Sequence, residues 1–155
     1  MREKTLEMKQ TFRILAALVL LCLQPGCVTV RGRPEPGGAS VSVRELAKSA
    51  RSWDGTLLPF YPQGQPEITI RRITISPGSR LETHGHPVIN AGVLLRGQLE
   101  VVTTGGKKLH LKAGDPIVEL VNTPHYGVNR GEVPAEIVVF YAGTVGAPIT
   151  VAERP

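Results

Sequence analysis

The chain has 155 residues and a formal charge of +5, with 13 prolines and 17 glycines. That is long enough for one domain with its own core, and the turn-rich composition argues against disorder. Residues 1–40 carry six Lys/Arg and three Asp/Glu, against twelve and ten in 41–155; with much of the excess in the tail, few aromatics and no basic stripe, nucleic-acid binding is excluded.

In chain order, Lys4, Lys9 and Arg13 precede an apolar run, Ile14 to Leu23. The run is too short to span a bilayer and suits the h-region of an export signal. Gly26 and Cys27 behind it resemble a bacterial lipoprotein processing site, while Gln24 and Pro25 depart from that pattern. The expectation is a signal peptide of lipoprotein type over 1–27 and export to the bacterial cell envelope. There the protein is periplasmic, or membrane-anchored through a lipidated Cys27. The alternative is a short amphipathic or buried N-terminal helix. Cys22 and Cys27 are the only cysteines, so residues 28–155 offer no disulfide and no thiolate.

Residues 28–40 read as a linker, Pro/Gly-rich from Arg31 onward. Ser42-Val43-Arg44-Glu45 has the form of a capping box and predicts a short helix to about Arg51, with Val43, Leu46, Ala47 and Ala50 on one face. Trp53-Asp54-Gly55 ends it, and Pro59, Pro62 and Pro66 make the rest of this 41–66 extension a loop or edge strand. From Glu67 the pattern is β. Ile68/Ile70 and Ile73/Ile75 alternate with a phase shift at Arg71-Arg72, which predicts a bulge or a long bent strand. Further strands are expected at Val88–Leu95, Gln98–Thr103, Lys107–Lys112, Pro116–Val121, Tyr126–Asn129 and Glu136–Tyr141. Thr104-Gly105-Gly106 reads as a tight hairpin. Short strands at such spacing predict an all-β sandwich or barrel over 67–155.

Three histidines carry the chemistry. His84 and His86 stand two apart, and strand alternation would point both imidazoles to one face. His125 follows after a second turn-and-strand unit and could complete one face of a metal's coordination shell. His110, between Leu109 and Leu111, falls on the opposite face from those leucines and reads as surface.

The spacing around these histidines resembles the cupin family. From Gly78 there are five residues to His84-Gly85-His86, three more to Asn90 and six to Gly97. Only Asn90 departs, standing where the family has glutamate. In the second unit Gly114, His125 and Asn129 fall in register, while Leu120 and Asn122 replace a proline and a glycine. The resemblance covers residues 67–143 and implies a double-stranded β-helix, or jelly-roll barrel, here with a short N-terminal helix. It also implies one divalent metal (Fe, Mn, Ni or Zn) held by His84, His86 and His125, with Asn90 at the fourth ligand position. Asn90 is a weaker, uncharged donor, and Glu119 could compensate, as fourth ligand or general base, because a charge amid Ile117, Val118, Leu120 and Val121 is costly unless paired or coordinating. The other reading of Glu119 is a strand-end residue facing solvent. Gly92, on the face of Asn90, would widen the cavity. Tyr126 would point away from the metal, Glu82 would lie at the rim, and Phe140 and Tyr141 would be barrel core and surface and not a substrate platform.

Two functions fit. One is a mononuclear metalloenzyme of dioxygenase or isomerase type acting on a small molecule in the envelope. The other is a non-catalytic lipoprotein that binds metal or a small ligand. The chain could also pair as a homodimer.

Overall fold

Alternating apolar and polar residues separated by glycine turns produce nine strands and, among the described residues, no helix. The computed structural model describes residues 40–153, so the apolar run Ile14–Leu23, Cys27 and the linker as far as residue 39 lie outside it. No helix among the described residues is long and apolar enough to cross a membrane.

The strands are β1 (Pro66–Ile75), β2 (His84–Gly85), β3 (Ile89–Arg96), β4 (Gln98–Thr103), β5 (Lys108–Lys112), β6 (Pro116–Val118), β7 (His125–Val128), β8 (Ala135–Thr144) and β9 (Val151–Ala152). They form two antiparallel sheets, ordered β1-β8-β3-β6 and β5-β4-β7-β2-β9. Ile75, Leu94, Ile117, Ile137, Val139 and Tyr141 from the first sheet meet Leu99, Val101 and Leu111 from the second in one core. Each fully buried aliphatic side chain there contributes roughly 1.5–3 kcal/mol. The expected all-β jelly roll is the fold observed, and the Thr104-Gly105-Gly106 hairpin joins β4 to β5 as expected, with Gly106 N–H donating to Thr103 O over 2.9 Å.

Three local expectations are corrected. The helix from Ser42 to about Arg51 does not form; residues 40–49 have no regular structure and are exposed. Helix nucleation is costly, and this modest apolar face, with Val43 93% exposed, has nothing to pack against. The chain instead turns at Trp53-Asp54, with Arg51 bridging Leu57 and Trp53 N–H donating to Val118 O at 2.9 Å. Second, of the bulge or long strand expected across Arg71-Arg72, the bulge does not form and β1 is one long strand. It pairs with β8 in unbroken register from Pro66↔Thr144 to Ile75↔Ala135. Ile68 and Ile70 therefore lie on the exposed outer face with Phe140, while Ile73 and Ile75 point inward. Third, the strand expected over Pro116–Val121 ends at Val118.

The loop after β6 carries the departures in the second unit, Leu120 and Asn122. Asn122 has φ of 53°, a left-handed conformation that asparagine tolerates better than other side chains. It can therefore stand where the resemblance expects glycine. Its N–H donates to His86 O over 2.8 Å, so this turn braces the His84–His86 segment. Gly92 does not widen the cavity. A Cβ there would lie 2.6 Å from Val138 O, so the missing side chain lets β3 and β8 approach closely.

Candidate metal centre

His84 and His125 are direct partners where β2 pairs with β7, and His86 follows two residues on. Alternation along this short stretch puts both motif-one rings on one side, as expected. The three ring centroids lie 4.8 to 5.1 Å apart. Their ligating nitrogens all fall within 4.8 Å of one another, a group that could hold a metal ion.

Each ring is oriented by a backbone carbonyl. The Nδ1–H of His84 donates to Glu82 O over 2.7 Å, that of His86 to Ile149 O over 2.9 Å and that of His125 to Thr123 O over 2.8 Å. A carbonyl can only accept, so all three Nδ1 atoms carry the proton and all three Nε2 lone pairs are left bare. Burial also lowers the pKa of His86 to about 4 and pushes His125 below the ordinary imidazole value. Both rings are thereby kept neutral, the form that binds metal.

Glu119 is buried and lines the cavity with the histidines. It does not face solvent. Its Oε2 has no hydrogen-bond partner and sits 3.6 Å from His125 Nε2. A bare imidazole lone pair opposite a carboxylate oxygen is repulsive unless a proton or a cation sits between them. Burial pushes the Glu119 carboxyl up to about 7, so it retains a proton near neutrality when no cation is present. Three bare nitrogens and an unpartnered carboxyl oxygen are a donor set suited to a divalent transition metal. The backbone of Glu119 is held from two sides: its N–H donates to Asn90 O over 3.0 Å, and Ser52 Oγ donates to its carbonyl over 2.8 Å. The 41–66 extension thus positions Glu119.

Asn90 is in the core beside the site. It is 1% exposed, its Nδ2 donates to Val88 O, its Oδ1 has no partner, and it is not among the residues lining the cavity. Of the two candidates for a fourth ligand, Glu119 lines the cavity and Asn90 does not. His110 is exposed on β5, 3.5 Å from Glu100, as expected of a surface residue. Tyr126 lies under the Arg80 guanidinium at 3.7 Å, and Glu82 lines the outer mouth.

The inner cavity has a volume of about 40 Å³ and is otherwise walled by apolar residues such as Ile73, Leu99 and Val139. A mouth of about 410 Å³ opens above it, lined in part by Arg71, Glu82, His84, His86 and Tyr141. Phe140 and Tyr141 were expected as core and surface, and the structure reverses them: Phe140 is exposed and points outward, and the inward residue is Tyr141. It is buried, yet it lines both spaces, with its ring 5.4 Å from that of His86. Its inward parity on β8, shared with Ile137 and Val139, was the available signal.

Residues 71–141 match the family model for the cupin domain. No curated protein matches the chain. Among solved structures, the chain is similar to an oxalate oxidase in complex with the substrate analogue glycolate, at 25% identity and TM-score 0.48, over 55% of this chain and 45% of that one. The DMSP lyase DddQ from Ruegeria pomeroyi is 20% identical with TM-score 0.50, over 57% of this chain and 44% of its own. A conserved protein with a double-stranded β-helix domain from Klebsiella pneumoniae is 22% identical with TM-score 0.49, over 72% of this chain and 100% of that one. The chain thus spans less than half the length of the first two, and the likeness to DddQ speaks to fold alone.

Proposed function

We propose that this chain, whose residues 71–141 match the cupin domain, holds one divalent transition metal through His84, His86 and His125 for chemistry on a small molecule. The observation that carries the reading is the convergence of three Nε2 atoms whose rings are each locked by an Nδ1–H donated to a carbonyl. A metal bound there supplies a Lewis acid beside an acid–base carboxyl.

The chain's own residues do the rest. Glu119 Oε2 is a fourth ligand or the site's proton carrier, since its pKa near 7 suits a general acid or base at neutral pH. Ile73, Leu99 and Val139 keep bulk water from the inner cavity. That cavity is too small for more than the reacting end of a molecule, so the remainder occupies the mouth, whose volume lies in the range of small-molecule sites. Isomerisation and dioxygenation both suit a three-histidine face with an adjacent proton carrier. We place the domain in the bacterial cell envelope, on the strength of the Ile14–Leu23 run and Gly26-Cys27.

The test is elemental analysis of the purified full chain after reconstitution with Fe(II), Mn(II), Ni(II) or Zn(II), with His84→Ala as control. About one metal per wild-type chain and a large loss in the variant are expected, because structural affinity rests on all three imidazoles. Equal, substoichiometric metal in both would overturn the reading.

A further inference from the structure

Arg71 and Arg72 are adjacent in sequence and opposite in role. Arg72 points outward and forms an ion pair with Glu136 on β8. Arg71 lies on the inward parity of β1 with Ile73 and Ile75, opposite Val139, and lines the mouth alongside His84, His86 and Tyr141. Among the described residues it makes no ion pair.

We infer that Arg71 is the anion-recognition residue of this site, holding a carboxylate of the substrate at the mouth while the molecule's other end reaches the histidines. The inference rests on the metal-site reading. It assigns the substrate to compact carboxylic acids with a second oxygen-bearing group, namely hydroxy, oxo or dicarboxylic acids. The guanidinium is a planar fork of donors that matches a carboxylate with two parallel hydrogen bonds. It is also close enough to act on the site electrostatically. Burial dominates the lowered pKa of His86, and the Arg71 charge lowers it further; burial raises that of Tyr141, and the same charge pulls it back.

The mouth has one competing acidic group, Glu82, and Arg71 forms no ion pair with it. Apart from His84 and His86, its other polar side chains are Thr83, Thr150 and Tyr141, and the Thr83 hydroxyl already accepts from Arg80 Nη2 at 3.1 Å. A cation bound below shifts the balance further toward an anionic ligand. The competing role for Arg71 is protection of a sheet edge, since β1 is the outermost strand of its sheet and an inward-pointing charge discourages edge pairing. That role predicts a change in self-association and none in ligand affinity.

Calorimetric titration of the Co(II)-loaded full chain with malonate separates the two, with malonamide as the uncharged isostere and metal content measured on every sample. Malonate should bind wild type, and Arg71→Ala should weaken it by about tenfold or more at unchanged metal content, the size expected of a partly solvated charge-assisted pair. Arg71→Lys should fall between them, and malonamide should bind wild type about as weakly as malonate binds the alanine variant. Should Arg71→Ala aggregate, Arg71→Gln keeps a long polar side chain on the edge strand and decides the question. Equal malonate affinity in wild type and the neutral variants, or no preference for malonate over malonamide, would overturn the inference and leave the metal site standing. A wild-type chain that takes up neither Co(II) nor any of Fe(II), Mn(II), Ni(II) and Zn(II) would overturn the metal reading and this inference together.

Discussion

Glu119 and His125 meet as two groups that both present lone pairs, 3.6 Å apart. In the metal-free protein the proton retained by Glu119 resolves that conflict. Its pKa is about 7 when folded, against an ordinary value of 4.5, so the folded form holds a proton that the unfolded chain releases between those values. Stability contributed by this group is therefore full below pH 4.5 and is lost as pH rises through 7. Glu119→Gln, which cannot ionise, should be more stable than wild type by about 1–3 kcal/mol at pH 8 in metal-free urea titrations, with the advantage gone near pH 5. An advantage of equal size at both pH values would show that the carboxyl is not held protonated. His86 works in the opposite sense. Its folded pKa of about 4 lies below the ordinary 6.5, so the unfolded chain takes up a proton that the folded form refuses. The Glu119→Gln variant should therefore lose stability steadily as pH falls from 6.5 toward 4.

At the scale of elements, one side chain ties the two halves of the site together. Asn129 follows β7 and is fully buried. Its Nδ2 donates to Ile75 O at 2.9 Å and Val133 O at 2.8 Å, and its Oδ1 accepts from Gly131 N–H at 2.8 Å. Its backbone completes the link, with Gly78 N–H donating to Asn129 O and Asn129 N–H to Ser79 O. The residue that closes the second motif is thus hydrogen-bonded to the glycine that opens the first. Asn129→Ala would strand two carbonyls and an N–H inside the protein and should cost about 3 kcal/mol or more in urea denaturation. The folded fraction should bind metal normally, because Asn129 is not among the residues lining the cavity. The spacing of this asparagine was legible in the sequence; its structural role was not, since its partner at 75 comes from a distant strand and only that at 133 lies nearby, in the loop before β8. Strand β1 teaches the same lesson. The two isoleucine pairs looked like one interrupted apolar face, and only the register with β8 assigns Ile68 and Ile70 outward and Arg71 inward.

Across the described residues, the two sheets close on a shared apolar core, and the candidate metal centre sits where β2 and β7 face β8 and Glu119, one residue beyond β6. With no cysteine in residues 28–155, stability rests on that core and on the loop hydrogen bonds. The proposed tether is a separate matter, confined to the N-terminal stretch. If Cys27 is lipidated, the full chain expressed in a bacterium with a lipoprotein pathway should partition into detergent, and Cys27→Ser should move it to the aqueous phase with a changed mass. Identical partitioning and mass, apart from the substitution itself, would exclude lipidation.

What the sequence determined by itself is what local spacing can carry. Period-two alternation and glycine turns define the β class, and two histidines two residues apart on an extended chain share a face whatever surrounds them. The register of glycines and histidines was enough to resemble a cupin and to nominate His84, His86 and His125. Tertiary structure decided what depends on a partner far away in the chain. It put Glu119 rather than Asn90 on the cavity wall, turned Arg71 toward the mouth and left residues 42–51 without a helix. In each case the reason is the same: a side chain's burial and the worth of its interactions are set by strand register and by whether a packing surface exists. Neither is written in the residues next to it.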